Sequence, residues 1–489
     1  MQNGTITIAT VPAIGARVME YDLGGLPSVM VNPSLLGETY TPAENNNWYN
    51  FGGYKTWPSP QSKWDDGGWP PPPTLDYGAY GVTDTTRTYD SVSVGVASQT
   101  EQWYTPGIQF VRKATIYDGT SRVKMEQTIV NNGAVDLNWG VWSIIQSIVN
   151  HPGENDYENF WTYFPINPNS VFGSSGVAPQ GSSEAWKGEI APGIYGVQFS
   201  PDNQKIFADP DRGWIAYADV SDTVIFARTF PVYEGMDYPD GGARVSVYVS
   251  SPGSSSAPAY MEVEVKGPLV DLAANGGKYT FTENWWAARV KGPILDVDSV
   301  GAISAKLVYN KSSQSFTADY GTFYSGTASI VFLDAQGNVI SEGRQHSITP
   351  LEEFQLQETI AIPDGTNSVE VHVHDGSGVL VGILEKENIS LVLKVVNTQP
   401  VISGYRLMSG YPNPFNGGTM ITVSCPVISQ GSLRIYDLLG RQVAILARGQ
   451  FSTGEHRYTW NPTNLAGGVY VARLAIGGIQ LSQKIIYLP

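Results

Sequence analysis

The sequence predicts an all-β protein built from several sandwiches. It contains 53 glycines and 32 prolines, and 11% of its residues are aromatic. Apolar and polar residues alternate in short runs between turn-forming residues, whereas few stretches show the period of a helix. A chain of 489 residues is long enough for about two to four domains. We therefore predict three domains.

Residues 1–300 form the first predicted domain, a large antiparallel sandwich. Residues 122–130 alternate as a half-buried strand does, and the tight-turn residues 131–133 follow them. Residues 260–265 and 278–282 have the pattern of two further strands joined by a turn. Because this is the largest of the three segments, we expect any functional site to lie here.

Residues 301–397 are predicted to form an immunoglobulin-like spacer. Residues 328–333 and 338–340 are two apolar runs separated by the turn residues 334–337, which is typical of a hairpin. Residues 397–400 have the composition of a short linker. The segment therefore predicts a sandwich between the large domain and the C-terminal one.

One strand of the spacer carries histidines. Residues 369–374 alternate strictly, which places Glu370, His372 and His374 on the same face. Those side chains could share a metal ion, but the solvated face of a strand explains the pattern more simply. We therefore expect neither a metal site nor a cofactor.

Residues 404–489 form the third predicted domain, a small β-sandwich. Ile421, Val423 and Cys425 alternate with polar residues, as in a half-buried strand. Cys425 is the single cysteine of the chain, so an intramolecular disulfide and a zinc site built on several cysteines are both excluded. We expect the thiol to pack as a small apolar side chain.

Five separated blocks occur in a specific order in this third domain: 411–416, 433–441, 454–460, 464–473 and 485–489. Their order resembles that of the C-terminal sorting domain of the type IX secretion system. The resemblance implies a secreted or cell-surface protein that contacts the outer-membrane secretion machinery and loses this domain near residues 397–404. The alternative is a further immunoglobulin-like domain without a role in export.

The net charge, the apolar runs and the N-terminal residues limit which partners and locations we expect. The formal net charge is −16, and binding of nucleic acid requires clustered Lys and Arg to neutralise phosphates, so we expect no nucleic-acid partner. No run of about eighteen apolar residues is available for a membrane span. Residues 1–5 have neither the basic nor the apolar region of a signal peptide, and we expect that the peptide was removed from this sequence.

The densest group of aromatic and acidic residues lies between residues 48 and 80. Flat aromatic faces stack on the CH faces of sugar rings, while acidic and amide groups bind the hydroxyls. Four consecutive prolines, 70–73, would hold this loop stiff. The predicted substrate-binding residues are Trp48, Tyr49, Tyr54, Trp57, Trp64, Asp65, Asp66, Trp69 and, outside the loop, Trp142. The alternative is that these residues only close one end of the sandwich.

Blocks at 15–18, 50–61, 69–73 and 262–286 are similar to an uncharacterised family of galactose-mutarotase-like β-supersandwiches. The resemblance covers about residues 5–300 and implies a sugar-associated fold. Mutarotases use a carboxylate base and two histidines, whereas residues 1–300 contain only His151, so this sequence departs from the mutarotase pattern. The resemblance places Glu262 and Glu264 on the strand that carries the base.

The candidate catalytic residues are accordingly Lys55, His151, Glu262 and Glu264. The alternatives are a structural hydrogen bond for His151 and a solvated strand face for both glutamates. Three functions remain open: binding of a polysaccharide or oligosaccharide, self-association of a structural or adhesive protein, and a polysaccharide lyase or hydrolase. The motifs of nucleotide binding and of serine hydrolases are missing from the sequence.

Overall fold

The computed structural model describes residues 1–488 except 45–46, 65–67, 155, 181–187, 203, 254–256, 390–404, 409, 411, 428, 453, 464 and 477–478. The predicted all-β class is confirmed, because strands dominate the described residues and the helices bounded within them span only three or four residues each. None of the described helices is long and apolar enough to cross a membrane. The chain forms two compact units, Met1–Lys394 and Val395–Pro489.

Two ten-stranded antiparallel sheets form most of the first unit. Sheet 1 contains β1 (Ile6–Val11), β2 (Arg17–Leu23), β3 (Leu26–Pro27), β4 (Tyr54–Ser59), β9 (Leu137–Ser147), β11 (Val177–Gln180), β14 (Gln204–Ala208), β17 (Val245–Ser250), β18 (Tyr260–Lys266) and β19 (Val270–Leu272). Sheet 2 contains β5 (Gly81–Arg87), β6 (Ser91–Ala97), β7 (Ile108–Tyr117), β8 (Val123–Asn131), β10 (Phe160–Pro165), β12 (Gly188–Ala191), β13 (Ile194–Gln198), β15 (Trp214–Asp219), β16 (Val224–Thr229) and β20 (Gly277–Arg289). Six short helical segments connect them: Pro12–Ile14, Pro33–Leu35, Gln61–Lys63, Pro73–Asp76, Tyr157–Asn159 and Pro239–Gly242.

The large sandwich has its core between these sheets. Every second residue of β7 and β8 is buried, as the sequence alternation predicts for strands with one face on the core. In the centre of sheet 1 the pattern changes, because all residues of β4 and β18 are buried. The outer face of this part of sheet 1 is therefore covered, and it is there that the predicted site residues collect.

One buried ion pair lies between the two sheets. Arg228 of β16 contacts Glu283 of β20 at 2.6 Å, and both side chains are buried. Ser143 and Gln127 donate further hydrogen bonds to Glu283, at 2.5 and 3.0 Å. Arg228 also donates to the backbone oxygen of Val263 at 2.8 Å. Because each charge has several partners, the pair meets the condition under which buried ions are tolerated.

The first unit also contains a smaller sandwich made of two sheets. Its strands are β21 (Asp296–Val297), β22 (Gly301–Asn310), β23 (Ser315–Thr322), β24 (Gly326–Leu333), β25 (Val339–Glu342), β26 (His346–Ile348), β27 (Phe354–Thr359), β28 (Ser368–Asp375) and β29 (Leu380–Asn388). The predicted hairpin around residues 334–337 is confirmed by the pairing of β24 with β25. Trp286 of the large sandwich stacks on Phe323 of the small one at 5.0 Å. The predicted boundary at residue 300 thus lies inside a compact unit.

The histidine strand of the small sandwich differs from expectation. Glu370 is buried rather than solvated, and it contacts His372 and Lys386, each at 2.7 Å. These two partners hold the pKa of Glu370 below its usual value although burial opposes that shift. The face is therefore an ion-paired surface of the sandwich.

The second unit is a small sandwich of its own. Its strands are β30 (Arg406–Leu407), β31 (Thr419–Cys425), β32 (Ser429–Asp437), β33 (Gln442–Phe451), β34 (Gly454–Trp460), β35 (Gly468–Ile476) and β36 (Ile479–Tyr487). Cys425 is fully buried in its core, as predicted, and burial raises the pKa of the thiol to about 11. The predicted linker at 397–400 lies outside the described residues.

Candidate functional site

Strand register brings the candidate residues onto one face of sheet 1. Trp57 of β4 pairs with Trp142 of β9, and Gln146 of β9 pairs with Glu262 of β18. Because side chains two residues apart share a face, Lys55 lies on the same face as Trp57. The face carries Lys55, Trp57, Trp142, Gln146, Lys205, Ser246, Glu262, Glu264 and Lys266.

Lys55 and Glu262 form an ion pair at the centre of this face. Lys55 Nζ lies 2.9 Å from Glu262 Oε1, and Gln146 Nε2 donates to the same oxygen at 2.9 Å. The ammonium also lies 4.5 Å from the centre of the Trp57 ring, within the range of a cation–π contact. Only 1% of Lys55 is exposed. Burial lowers the pKa of Lys55, and Glu262 partly offsets the shift.

Glu264 lies next to this pair, two residues along the strand. It contacts Lys205 at 3.0 Å, accepts a hydrogen bond from Trp142 Nε1 at 2.8 Å and accepts another from Ser246. Burial alone would raise its pKa, but Lys205 and Lys266 outweigh burial and lower it. Glu264 is therefore held as a carboxylate, and the predicted solvated face is wrong for this residue.

Lys266 extends the same row of charges. It pairs with Asp240 in the turn before β17 and lies 4.9 Å from the centre of the Trp142 ring. Burial is the main cause that lowers its pKa. Three lysines and two glutamates thus share this face, and Trp142 lies within cation–π distance of both Lys205 and Lys266.

Tryptophans cover the Lys55 end of the face. Trp57 makes edge-to-face contacts with Trp64 at 5.5 Å, with Trp142 at 5.3 Å and with Trp69 at 6.3 Å. Trp48 packs against Trp69 at 5.1 Å and lies 5.6 Å from the Lys55 ammonium. Trp57, Trp64 and Trp142 are buried, whereas 46% of Trp69 is exposed and Trp48 is half-buried. Trp48 and Trp69 are therefore the tryptophans of this group that solvent reaches.

Close packing fixes the strand that carries Lys55 and Trp57. Trp57 Nε1 donates to Asp76 at 2.8 Å, and Arg17 contacts the same carboxylate oxygen at 2.6 Å. Gly15 has φ of +74°, and a Cβ there would lie 2.0 Å from the backbone oxygen of Asp76. Glycine is thus required for the approach of this loop to Asp76.

Two predicted binding residues lie elsewhere. Tyr54 points into the sandwich, where it donates to Gln127 at 2.7 Å and packs on Trp285 at 4.8 Å. Its side chain is buried on the side of β4 opposite to Lys55, so its assignment to substrate binding is wrong. Tyr49 is half-buried and stacks on Tyr40 at 3.6 Å. Asp65 and Asp66 lie outside the described residues.

His151 belongs to a separate cluster. Its Nδ1 lies 2.6 Å from Asp156, and its Nε2 lies 3.0 Å from Asp219 and 3.3 Å from Asp222. Burial opposes protonation of the ring, but the carboxylates outweigh burial and raise the pKa of His151. None of these described contacts reaches Lys55 or Glu262. The predicted catalytic group is therefore not assembled around His151.

Sequence reasoning missed Lys205, Lys266 and Asp240. Lys266 follows Glu262 and Glu264 at the same two-residue spacing, so the period of β18 could have revealed it. Lys205 and Asp240 come from distant segments, and no local signal marks them.

The C-terminal module matches the family model of the secretion system C-terminal sorting domain over residues 409–487. The module is a type IX secretion sorting domain. A sorting domain directs its protein to the secretion machinery, which makes this a secreted or cell-surface protein. The predicted order of blocks is thereby confirmed.

Several solved structures are similar to the chain. They include a putative aldose 1-epimerase from Escherichia coli K12, a putative mutarotase from Salmonella typhimurium and a galactose mutarotase-like protein from Lactobacillus casei. Each is 11% identical and covers 59% of this chain and 98%, 89% and 98% of its own, with TM-scores of 0.36, 0.39 and 0.39. No curated protein matches the chain.

Proposed function

We propose that the protein is a secreted or cell-surface carbohydrate-binding protein. The glycan binds where the exposed edge of Trp69 and the half-buried Trp48 lie beside the Lys55–Glu262 pair. The observation that supports this proposal is the contrast in exposure, since 46% of Trp69 reaches solvent while the tryptophan beneath it is buried. An apolar wall next to paired polar groups is the composition that sugar rings require.

Packing contacts support the tryptophan wall in the absence of a ligand. Trp69 rests on Trp48 and Trp57, and the prolines at 70–73 follow it directly. A rigid aromatic surface loses little conformational entropy on binding, so more of the contact energy remains as affinity. Stacking of a pyranose on Trp69 would leave its equatorial hydroxyls free for the polar groups at the edge of the face.

A second candidate function is catalysis on a polysaccharide, by lyase or hydrolase chemistry. One observation favours it: burial lowers the pKa of Lys55, and a carboxylate lies 2.9 Å from its ammonium. A lysine with a lowered pKa is present as the free amine in a larger fraction near neutral pH than an exposed lysine, so it is available to act as a general base. We assign His151 no role in this catalytic alternative, because it contacts Asp156 and Asp219 instead. Self-association stays a prediction, which light scattering would check.

The binding proposal is tested by titration calorimetry of the full chain against a panel of neutral and acidic polysaccharides. We expect at least one ligand to bind, and Trp69→Ala to weaken that binding at least tenfold, because the exposed stacking surface is lost. The matched control is Tyr89→Ala, since Tyr89 is likewise an aromatic residue that solvent reaches but lies in the turn between β5 and β6.

Two results would contradict the proposal. One is a folded wild-type protein that binds no member of the panel, and the other is equal binding by the Trp69→Ala and wild-type proteins. New reducing ends or unsaturated products in the same incubations would favour catalysis over binding alone.

A further inference from the structure

A cluster of one histidine and three aspartates joins the two sheets of the large sandwich at one end. His151 lies in the connection that follows β9 of sheet 1. Asp219 ends β15 of sheet 2, and Asp222 lies in the turn that leads to β16. Asp156 precedes the short helical turn Tyr157–Asn159. The cluster therefore gathers side chains from two segments that are distant in sequence, residues 151–156 and 219–222.

Asp156 fixes the orientation of the imidazole. One of its carboxylate oxygens accepts the backbone N–H of His151 at 3.0 Å, and the other lies 2.6 Å from Nδ1. An ionised carboxylate can only accept, so the proton of the neutral ring is on Nδ1. The lone pair of Nε2 then faces away from Asp156, towards Asp219 and Asp222. This is the arrangement by which a carboxylate orients a histidine that ligates a metal.

Asp219 is fixed in the same way. Its Oδ1 accepts hydrogen bonds from the backbone and the hydroxyl of Ser221, at 3.0 and 2.6 Å, and from the backbone of Asp222 at 3.2 Å. Its Oδ2 is thereby directed at His151 Nε2, which lies 3.0 Å away. Only 3% of Asp219 is exposed, so this carboxylate cannot turn to solvent.

One ring nitrogen thus faces two carboxylate oxygens, from Asp219 at 3.0 Å and from Asp222 at 3.3 Å. A single N–H can donate well to one of them, and a lone pair would repel both. A cation between the three atoms satisfies them all. Ligands held about 2.1 Å from a metal ion lie about 3.0 to 3.4 Å from one another, which agrees with these separations.

We propose that His151, Asp219 and Asp222 bind a divalent transition metal ion such as Zn²⁺ or Mn²⁺, and that Asp156 is a positioning residue. One imidazole and two carboxylates suit these ions better than Ca²⁺, which prefers oxygen ligands alone. The side chain of Asp222 is 42% exposed, so the remaining coordination positions face solvent. The bound ion joins the connection after β9 to the turn before β16. This proposal replaces the expectation of a chain without a metal site.

A second group shares the same histidine and is the weaker alternative. Glu154, Asp156 and His151 also bring ligand atoms within 4.8 Å of one another. In that group, however, both oxygens of Asp156 already accept hydrogen bonds from His151. Nε2 is therefore the nitrogen that remains for a metal.

The test is calorimetric titration of the untagged, EDTA-treated full chain with ZnCl₂, MnCl₂ and CaCl₂. We expect one Zn²⁺ or Mn²⁺ per chain, weaker binding of Ca²⁺ and a higher melting temperature in the presence of the transition metal. Co²⁺ in the same site should give visible absorption bands of a nitrogen and oxygen ligand set. Absence of stoichiometric binding by all three ions would overturn the proposal.

Substitutions of the cluster residues test where the ion binds. Asp222→Asn should weaken binding at least tenfold, and Asp211→Asn is the matched control because Asp211 is an exposed aspartate outside the cluster. Asp156→Asn should lower affinity about tenfold while one site per chain remains, as expected of a group that acts through His151. If Asp222→Asn binds as tightly as the wild type, the ion lies elsewhere, for example at His346 and Glu358 or at His372 and Glu370.

Discussion

Two groups of buried charges in the large sandwich have similar chemistry and different surroundings. The Arg228–Glu283 pair lies between the sheets, where Ser143 and Gln127 complete the hydrogen bonds of Glu283. The Lys55–Glu262 pair lies on the outer face of sheet 1, under tryptophans that reach solvent at Trp69. Protein atoms surround the Arg228–Glu283 pair, whereas the Lys55–Glu262 pair lies close to the protein surface. Burial of charge alone therefore does not mark a functional site; burial beside an exposed aromatic edge is the more informative sign.

The largest effect is expected between the sheets. Glu283→Ala leaves the Arg228 guanidinium buried without its carboxylate, which should cost about 3 to 5 kcal/mol of unfolding free energy. The control is Glu126→Ala on neighbouring β8, because Glu126 forms a partly exposed pair with Lys124 at 2.9 Å and should cost less than about 1 kcal/mol. Urea unfolding measures both. Equal losses would mean that the interior pair is no more important than a surface one.

A smaller effect is expected on the outer face. Lys55→Met leaves Glu262 with Gln146 as its remaining described partner, at 2.9 Å, and should cost about 2 kcal/mol. The double variant Lys55→Met with Glu262→Leu should recover part of that loss, because it removes the unpaired charge. Under the proposed function, the double variant stays folded but loses affinity for the glycan. If the double variant binds the glycan as tightly as the wild type does, the Lys55–Glu262 pair is not part of the binding surface.

The smallest effect is expected in the decline of the melting temperature at acidic pH. The folded pKa of Glu264 lies below its ordinary value, because Lys205 and Lys266 outweigh burial. Its carboxylate therefore contributes stability above the unfolded pKa, about 4.5, and the contribution is lost as the pH falls through the folded pKa. Glu264→Gln should flatten the decline in melting temperature below about pH 4.5. A decline as steep as that of the wild type would assign the acid sensitivity to other carboxylates.

The sequence predicted those parts of the fold that depend on local pattern. Alternation in residues 122–130 corresponds to β8, and the turn at 334–337 corresponds to a hairpin. The same alternation places Tyr54 and Lys55 on opposite faces of β4, so the error over Tyr54 was avoidable. The burial of Trp57 and Trp64 was not predictable, because both pack against Trp142, which comes from a distant segment.

The site itself was only partly predictable for the same reason. Lys55, Glu262 and Trp142 could be named from their residue types and strands, and register confirms that they share a face. Lys205 reaches Glu264 only because β14 lies next to β17 in the sheet order. Strand order in a ten-stranded sheet is set by long-range pairing, which the local pattern of one sequence does not encode.

The single thiol has a practical consequence for following the molecule in solution. Cys425 lies in the core of the sorting domain, and burial keeps its pKa at about 11, so little thiolate is present at neutral pH. Alkylation of the chain can then proceed only as that domain opens. The rate of labelling by a thiol reagent reports the opening of the sorting domain without any engineered probe, and a cysteine introduced at an exposed position of the first unit would react first.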